Sequence, residues 1–214
     1  MTRKPDSDLS ERRGYHHGRL REALLEAARR LIAERGPAGF TLSDAAKIAG
    51  VSPAAPYRHF KDRQALLRAV AEEGFAALGA RLAAAGRGEE GFLRMGQAYL
   101  AFAREEPAYY AAMFNTGAFS AGPKDAGEEG DAGFGLLQDA VGRQLGGARA
   151  AEAQLGARLV FALTHGLASL AAAGLIKQGW EGADTALDIG VAAMMRGLSA
   201  PKTSQDPAGE AEEG

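Results

Sequence analysis

The side chains able to do chemistry are unevenly spread along this 214-residue chain. Arg12, Arg13, His16, His17 and Arg19 crowd one stretch near the start, and His59 stands in the next basic run with Arg58, Lys61 and Arg63. Residues 1–70 carry 14 Lys+Arg against 8 Asp+Glu, and residues 71–214 carry 11 against 19, so a net charge of −2 conceals a basic front and an acidic remainder. A basic module on an acidic body suits a polyanion met by one end only, although chance clustering of surface charge gives the same tally.

Nothing in the sequence assembles a catalytic set. With no cysteine, thiol catalysis, disulfides, iron–sulfur clusters and cysteine-ligated zinc are excluded. The adjacent pairs Glu72-Glu73, Glu105-Glu106 and Glu128-Glu129 are splayed by a helix or loop and read as solvated surface rather than acid–base couples. His16-His17 lacks a carboxylate or third ligand at helical spacing, so neither a metal nor another cofactor is expected, and the chain reads as a non-enzyme. Met1–Arg21 is polar and basic with no apolar stretch, the pattern of a cytoplasmic protein without a leader. Leu159–Ile176 runs eighteen residues without a formal charge, but its Ala, Gly, Thr164, His165 and Ser169 suit a helix buried at a subunit interface better than a membrane span.

The elements that must position the basic residues are helices. Leu20, Leu24, Ala27, Ala28, Leu31 and Ile32 fall at helical spacing in Arg19–Arg35, which Gly36-Pro37 stops. Thr41 caps a short helix with Asp44 in its first turn, Gly50 offers a left-handed turn, and Ser52-Pro53 reads as the cap and first residue of another short helix, Pro53–Phe60. Asp62 caps a longer one to about Ala84. Two short helices joined by a Gly turn make a helix-turn-helix, whose second helix can enter a major groove. Further helices are expected over 89–104, 107–115, 132–146, 150–176 and 182–198, with a mobile Gly/Pro/acid loop at 116–131 and a disordered tail at 201–214. The fold class is therefore all-α. Its units are a flexible basic arm (1–18), a three-helix helix-turn-helix domain (19–70), a helical domain (71–200) and the tail.

Tyr15–Val70 resembles the DNA-binding domain of the TetR family. The likeness is carried by the Gly36 break, Thr41, Ala45-Ala46, Gly50-Val51-Ser52, Tyr57-Arg58-His59-Phe60-Lys61 and Ala65-Leu66-Leu67. Thr164-His165-Gly166 is similar to the Trp-His-Gly motif of one class of the family's C-terminal domains, with Thr in place of Trp. The opening Tyr-His-His-Gly and the Ala-Pro-Tyr-Arg-His-Phe core are companions of that class. The resemblance implies a homodimeric transcriptional regulator, most simply a repressor, that binds an inverted-repeat operator in double-stranded DNA. It also implies a second domain that dimerises and takes a small-molecule effector.

By the same resemblance Thr41, Tyr57 and His59 touch backbone phosphates, Arg63 stands where relatives carry a Lys, and Lys61 is their neighbour. Relatives often place polar base readers where this chain has Pro53, Ala54 and Ala55, whose side chains cannot hydrogen-bond; Ala can meet only a thymine methyl. Ser43 and Arg58 are then the candidate polar base contacts, with phosphate or solvent as the alternative for Arg58. Arg12 and Arg13 offer a second reader, because a basic arm can lie in an A·T-narrowed minor groove.

In the second half Met95, Tyr99, Phe102, Tyr109, Tyr110, Met113, Phe114, Phe134, Leu137 and Phe161 converge on a pocket if the helices form the usual bundle, with His165 as its polar group. Each can equally be ordinary core. No cluster of Arg or Asp accompanies them, which favours a neutral, apolar or aromatic effector. Leu155, Leu159, Leu163, Leu167 and Leu170, then Leu187, Val191, Met194 and Leu198, form the expected dimer stripes, with packing inside one subunit as the alternative. A constitutive or architectural DNA binder of the same fold, without a ligand switch, is the competing function.

If the arm reads DNA, replacing Arg12 and Arg13 together by Ala weakens binding to an A·T-flanked site at least tenfold in an anisotropy titration. Unchanged affinity contradicts an arm contact.

Overall fold

The computed structural model describes residues 7–88, 91–114, 127–146 and 150–199, and the helices expected from the sequence are present except the one over Pro53–Phe60. They are α1 (Ser7–Arg35), α2 (Leu42–Ile48), α3 (Arg63–Ala85), α4 (Gly91–Glu105), α5 (Pro107–Phe114), α6 (Gly127–Gln144), α7 (Ala150–Ala172) and α8 (Gly179–Ser199). No strand occurs among the described residues.

Three boundaries differ most from expectation, and α7 also ends at Ala172 where the sequence pattern runs to 176. Helix α1 starts at Ser7, so residues 7–18, expected as an irregular arm, continue the helix; Glu11, Arg12 and Arg13 are strong helix formers and no proline interrupts Ser7–Arg35. Residues 127–131, expected in the loop, open α6, where Glu128, Glu129 and Asp131 suit the positive end of a helix. The rest of that loop, residues 116–126, the last residue expected in the helix over 107–115, and the tail 201–214 lie outside the described residues. The third difference is the element after Gly50. Instead of an α-helix over Pro53–Phe60, the chain makes a single 3₁₀ turn, Ala55–Arg58, whose first cap is Ala54 and not Ser52. Pro56 lacks the N–H that would donate to the Ser52 carbonyl in an α-helix begun at Pro53, so the turn closes instead through Ala55 N–H to the Ser52 carbonyl and His59 N–H to the Pro56 carbonyl.

Local chemistry elsewhere matches the sequence. The Thr41 hydroxyl accepts from the Asp44 N–H, and the Asp44 carboxylate takes back the Thr41 N–H at 2.8 Å, a reciprocal capping box. Those hydrogen bonds hold the Asp44 carboxyl below its ordinary range. Asp62 caps α3 by accepting from the Ala65 N–H at 2.7 Å. Gly50 has φ +70°, a left-handed backbone that a side chain resists, and it turns the chain from α2 toward the 3₁₀ element.

The two halves share one continuous core. Leu24, Leu31, Leu66, Leu67 and Val70 are fully buried between α1 and the first turns of α3, closed by Phe40, Leu42 and Phe60. The same α3 then continues into the second half, where it packs on α4, α5 and α6 while α7 packs on α4, α6 and α8. At Gly74 the approach of α5 to α3 is so close that a Cβ would stand 2.8 Å from Met113 Sδ and 3.1 Å from Tyr109 Cβ.

Beside α3, the substantial tie between the halves is α1 on α5. Its polar part is a cluster around Arg29. Arg29 on α1 reaches Glu26 at 2.9 Å and Glu106 at 3.2 Å, and its guanidinium lies 4.3 Å from the centre of the Tyr109 ring. Tyr109 donates to Glu73 on α3 at 3.2 Å. Arg81 of α3 pairs with Glu105 at 2.6 Å and Glu106 at 3.6 Å and covers the ring of Phe102, which stacks on Tyr109.

Phe102 is completely buried in this junction. Phe102→Ala therefore costs about 3–5 kcal/mol in urea unfolding; a loss under about 1 kcal/mol would mean that the site collapses freely or is not packed in solution.

Candidate functional site

Two regions concentrate the residues expected to act. The first is the surface built by α2, the Gly50 turn and the 3₁₀ element. Ser43, Pro53, Ala54, Tyr57, Arg58 and Lys61 are exposed there, and Ala55 and His59 are half-buried. Tyr57, at 60% exposure, presents its phenol to solvent, while Phe60 beside it is buried with the Arg21 guanidinium 5.8 Å from its ring. Pro56 is buried and fixes this alternation. Thr41 is exposed, with its hydroxyl already bonded to Asp44 at 2.7 Å. Arg63 is half-buried and donates to the Pro37 carbonyl at 2.8 Å, so part of its guanidinium ties α3 to the α1–α2 loop. Arg12 and Arg13 fall on α1 at positions whose side chains lie outside the described ones. The surface thus offers hydroxyls, a phenol and cations for phosphate oxygens, and few base-reading groups.

The second region is an aromatic box around His165. Its ring centre lies 4.6 Å from that of Phe114, 5.7 Å from Phe161, stacked, 5.9 Å from Tyr110 and 6.3 Å from Tyr99. The Tyr99 hydroxyl is 2.9 Å and the Tyr110 hydroxyl 3.2 Å from His165 Nδ1. Tyr110 also meets Ser169 Oγ at 2.9 Å. Burial pushes the His165 pKa below its usual 6.5, which favours the neutral ring; in the tautomer protonated at Nε2, Nδ1 accepts from the tyrosine hydroxyls, and in the other it donates. Burial likewise raises both phenols, Tyr99 strongly, while the Ser169 and Tyr99 hydrogen bonds hold Tyr110 back in part. The box is therefore an aromatic wall around an uncharged hydrogen-bonding centre.

Fewer than half of the expected pocket residues meet there. Tyr99, Tyr110, Phe114, Phe161 and His165 converge, whereas Met113 is buried against Gly74 on α3, and Phe102 and Tyr109 belong to the α1–α5 junction. Leu137 is buried on α6 and Phe134 is half-buried against the shared core. Met95 lines a separate cleft of about 420 Å³ with Leu82, Gly86, Leu136 and Arg143. The physical reason lies in helix geometry. Met95 sits a full turn before Tyr99 on α4, and Phe102 leaves the helix rotated from Tyr99 by about 60°. Ser169 was missed by sequence reasoning, although it stands four residues after His165 and so on the same face of α7. Among the described residues no group of three or more His, Asp or Glu could hold a metal.

The expected dimer stripe also divides. Leu187 and Val191 are buried within the subunit, and Leu163, Leu167, Met194 and Leu198 pack partly on its core. Leu155, Leu159 and Leu170 on α7 and Ile189 on α8 remain exposed. Helix α7 is apolar enough by length and composition to cross a membrane, but its other face (Ala153, Ala157, Val160, Thr164, Ala168) is buried against the protein.

Residues 24–70 match the family model described as bacterial regulatory proteins of the tetR family, and residues 92–194 match that of the tetracyclin repressor-like C-terminal domain. A comparison with curated proteins finds no match. Among solved structures, a protein of unknown function from Rhodococcus sp. RHA1 is 32% identical, with 87% of this chain and 98% of that one aligned at a TM-score of 0.68. The TetR-family regulator PfmR of Thermus thermophilus (22% identity, 79% and 97% covered, TM-score 0.62) shares the fold. So does the fatty acid degradation regulator FadR of Bacillus halodurans (14%, 82% and 94%, TM-score 0.66).

The depressed His165 pKa sets a pH signature. Because folding favours the neutral ring, its contribution is complete above pH 6.5 and is lost as pH falls through the lowered folded value. Thermal unfolding of the natural chain should therefore lose more stability between about pH 7 and pH 5 than His165→Gln does; equal losses would mean that the ring is solvated.

Proposed function

The chain belongs to the TetR family, which makes it a DNA-binding transcription regulator and not an enzyme, and we propose that it is a cytoplasmic homodimeric repressor released from an inverted-repeat operator by a small neutral, apolar or aromatic molecule. The observation that supports the ligand switch is the box around His165. Its walls are aromatic, its polar centre is neutral, and the described contacts of the imidazole include no charged side chain. A planar or branched apolar ligand with one hydrogen-bonding group can exchange with the Tyr99, Tyr110 and Ser169 hydroxyls without leaving a buried charge unpaired.

The homodimer is supported by the exposed Leu155, Leu159, Leu170 and Ile189 on adjacent helices. Pairing α7 and α8 across a two-fold axis covers that surface and sets two reading surfaces at the spacing of successive major-groove faces. In each reading surface Tyr57, His59, Thr41 and Lys61 contact phosphates, Arg63 joins them through the guanidinium nitrogens left over from Pro37, and Ser43 and Arg58 supply the polar base contacts. Pro53, Ala54 and Ala55 contribute shape and methyl contacts. Arg12 and Arg13, on the N-terminal part of α1, add positive charge beside them for further DNA contact.

A second reading, a DNA binder without a ligand switch, is favoured by the poor hydrogen-bonding capacity of Pro53, Ala54 and Ala55. Selection from random duplex DNA, followed by anisotropy titration of the winner across salt, separates the two. The repressor reading predicts an enriched inverted repeat bound on the order of 1,000-fold or more above bulk DNA, as expected for specific recognition, with Tyr57→Phe weakening it about tenfold or less. Salt-steep binding with no enriched sequence would overturn it.

A further inference from the structure

We infer that Arg29 is the residue that carries occupancy of the aromatic box to the DNA-reading surface, by clasping α1 to the short helix α5; this rests on the reading of the box as the effector site. Helix α5 has eight residues and serves two sites at once. Tyr110 and Phe114 form part of the box, and Tyr109, next to Tyr110, lies under the Arg29 guanidinium. Glu106, which pairs with the same guanidinium at 3.2 Å, directly precedes α5 and accepts the Tyr110 N–H through its carbonyl at 3.0 Å. A molecule that displaces Tyr110 or Phe114 therefore moves the face on which Arg29 rests.

The direction of that movement is restricted. On the α3 side no room exists, because at Gly74 the side chains of Met113 and Tyr109 already press on a backbone without a Cβ. On the other side stands α1, joined to α5 through a partly exposed ionic and ring contact that can slide or break more readily than packed hydrocarbon. Helix α1 in turn packs on α2, and its Arg21 covers Phe60 at the end of the reading turn. Arg29 is thus a positioning residue. It touches neither the box nor the proposed DNA contacts, yet it is the point where a shift of α5 becomes a shift of α1. Glu26 holds the guanidinium from its own helix at 2.9 Å, so the clasp moves with α1 and not independently of it.

The test is a double-mutant comparison in the full chain, read as affinity for the tightest duplex selected from random DNA. Phe114→Trp overfills the box, since Phe75, Tyr99, Tyr110 and His165 already surround that ring. Should that variant fold poorly, His165→Phe, which keeps a ring but loses both tyrosine hydrogen bonds, replaces it. The expected result is at least a tenfold loss of affinity from the box substitution in the natural chain and less than threefold in an Arg29→Ala background. Arg29→Ala alone should stay within threefold of the natural chain. Arg29→Lys, which keeps a cation over Tyr109 but lacks the two-pronged fork, should give an intermediate loss. Equal losses with and without Arg29 would overturn the clasp while leaving the box as the switch. No loss in either background would overturn both, because the box would then have no hold on DNA binding.

Discussion

A single helix belongs to both halves of the molecule. α3 has 23 residues, a rod of about 35 Å. Its first turns bury Leu66, Leu67 and Val70 under the reading surface, and its last turns bury Leu78 and Leu82 among the helices of the second half. Because interiors are packed too densely to deform smoothly, a rod running through the shared core of both halves transmits displacement as a rigid lever and does not absorb it. Among the described residues, the surface of α2 and the 3₁₀ turn is therefore held chiefly through α3 and through the smaller contact that braces α1 against α5. That constraint gives the polar cluster at Arg29 its meaning: it is the second point of attachment of a body otherwise hung on one helix.

The two sites differ in how they treat charge. The surface of α2 and the 3₁₀ turn leaves its cations and phenol in water, where phosphates would replace their hydration in the proposed DNA contact. The box does the opposite, excluding charge by keeping an imidazole neutral beside two protonated phenols. An uncharged centre gives an apolar ligand a competitor it can displace at modest cost, since hydroxyl–imidazole hydrogen bonds can be remade with a single polar group of the ligand. The junction between the sites carries a part-solvated ionic layer beside the buried Phe102, and its ion pairs exchange with water more readily than packed hydrocarbon separates.

The helices were legible in the sequence because their caps and stops are chemically explicit: Thr41 with Asp44, Asp62, Gly36 and Gly50 each mark an end with its own mechanism. The 3₁₀ turn was not, because Ser52-Pro53 carries a helix-start signature that Pro56, three residues on, prevents from propagating. The start of α1 was also missed, since Gly14 and Gly18 weaken the pattern there although the backbone remains helical. In the second half the residue types pointed to an aromatic pocket, but type alone does not fix phase. Tyr109 and Tyr110 are adjacent and chemically identical, yet one meets Arg29 and the other His165, which only the rotation of α5 against α3 decides. Ionic ties such as Arg29 to Glu106 join residues 77 apart, and no local pattern signals them.

The central claim is that filling the box alters the separation of two reading surfaces in a dimer. The absence of cysteine allows this to be measured directly, because a Cys introduced at exposed Gln64, beside the reading turn, is a unique attachment point for a spin label. Pulsed dipolar spectroscopy on the labelled dimer bound to its selected operator should give one narrow distance distribution, fixed by grooves about 34 Å apart. The same dimer free of DNA and carrying Phe114→Trp should give a distribution displaced by several ångströms or markedly broadened relative to the DNA-free natural chain. Superimposable distributions with and without the box substitution would contradict the account.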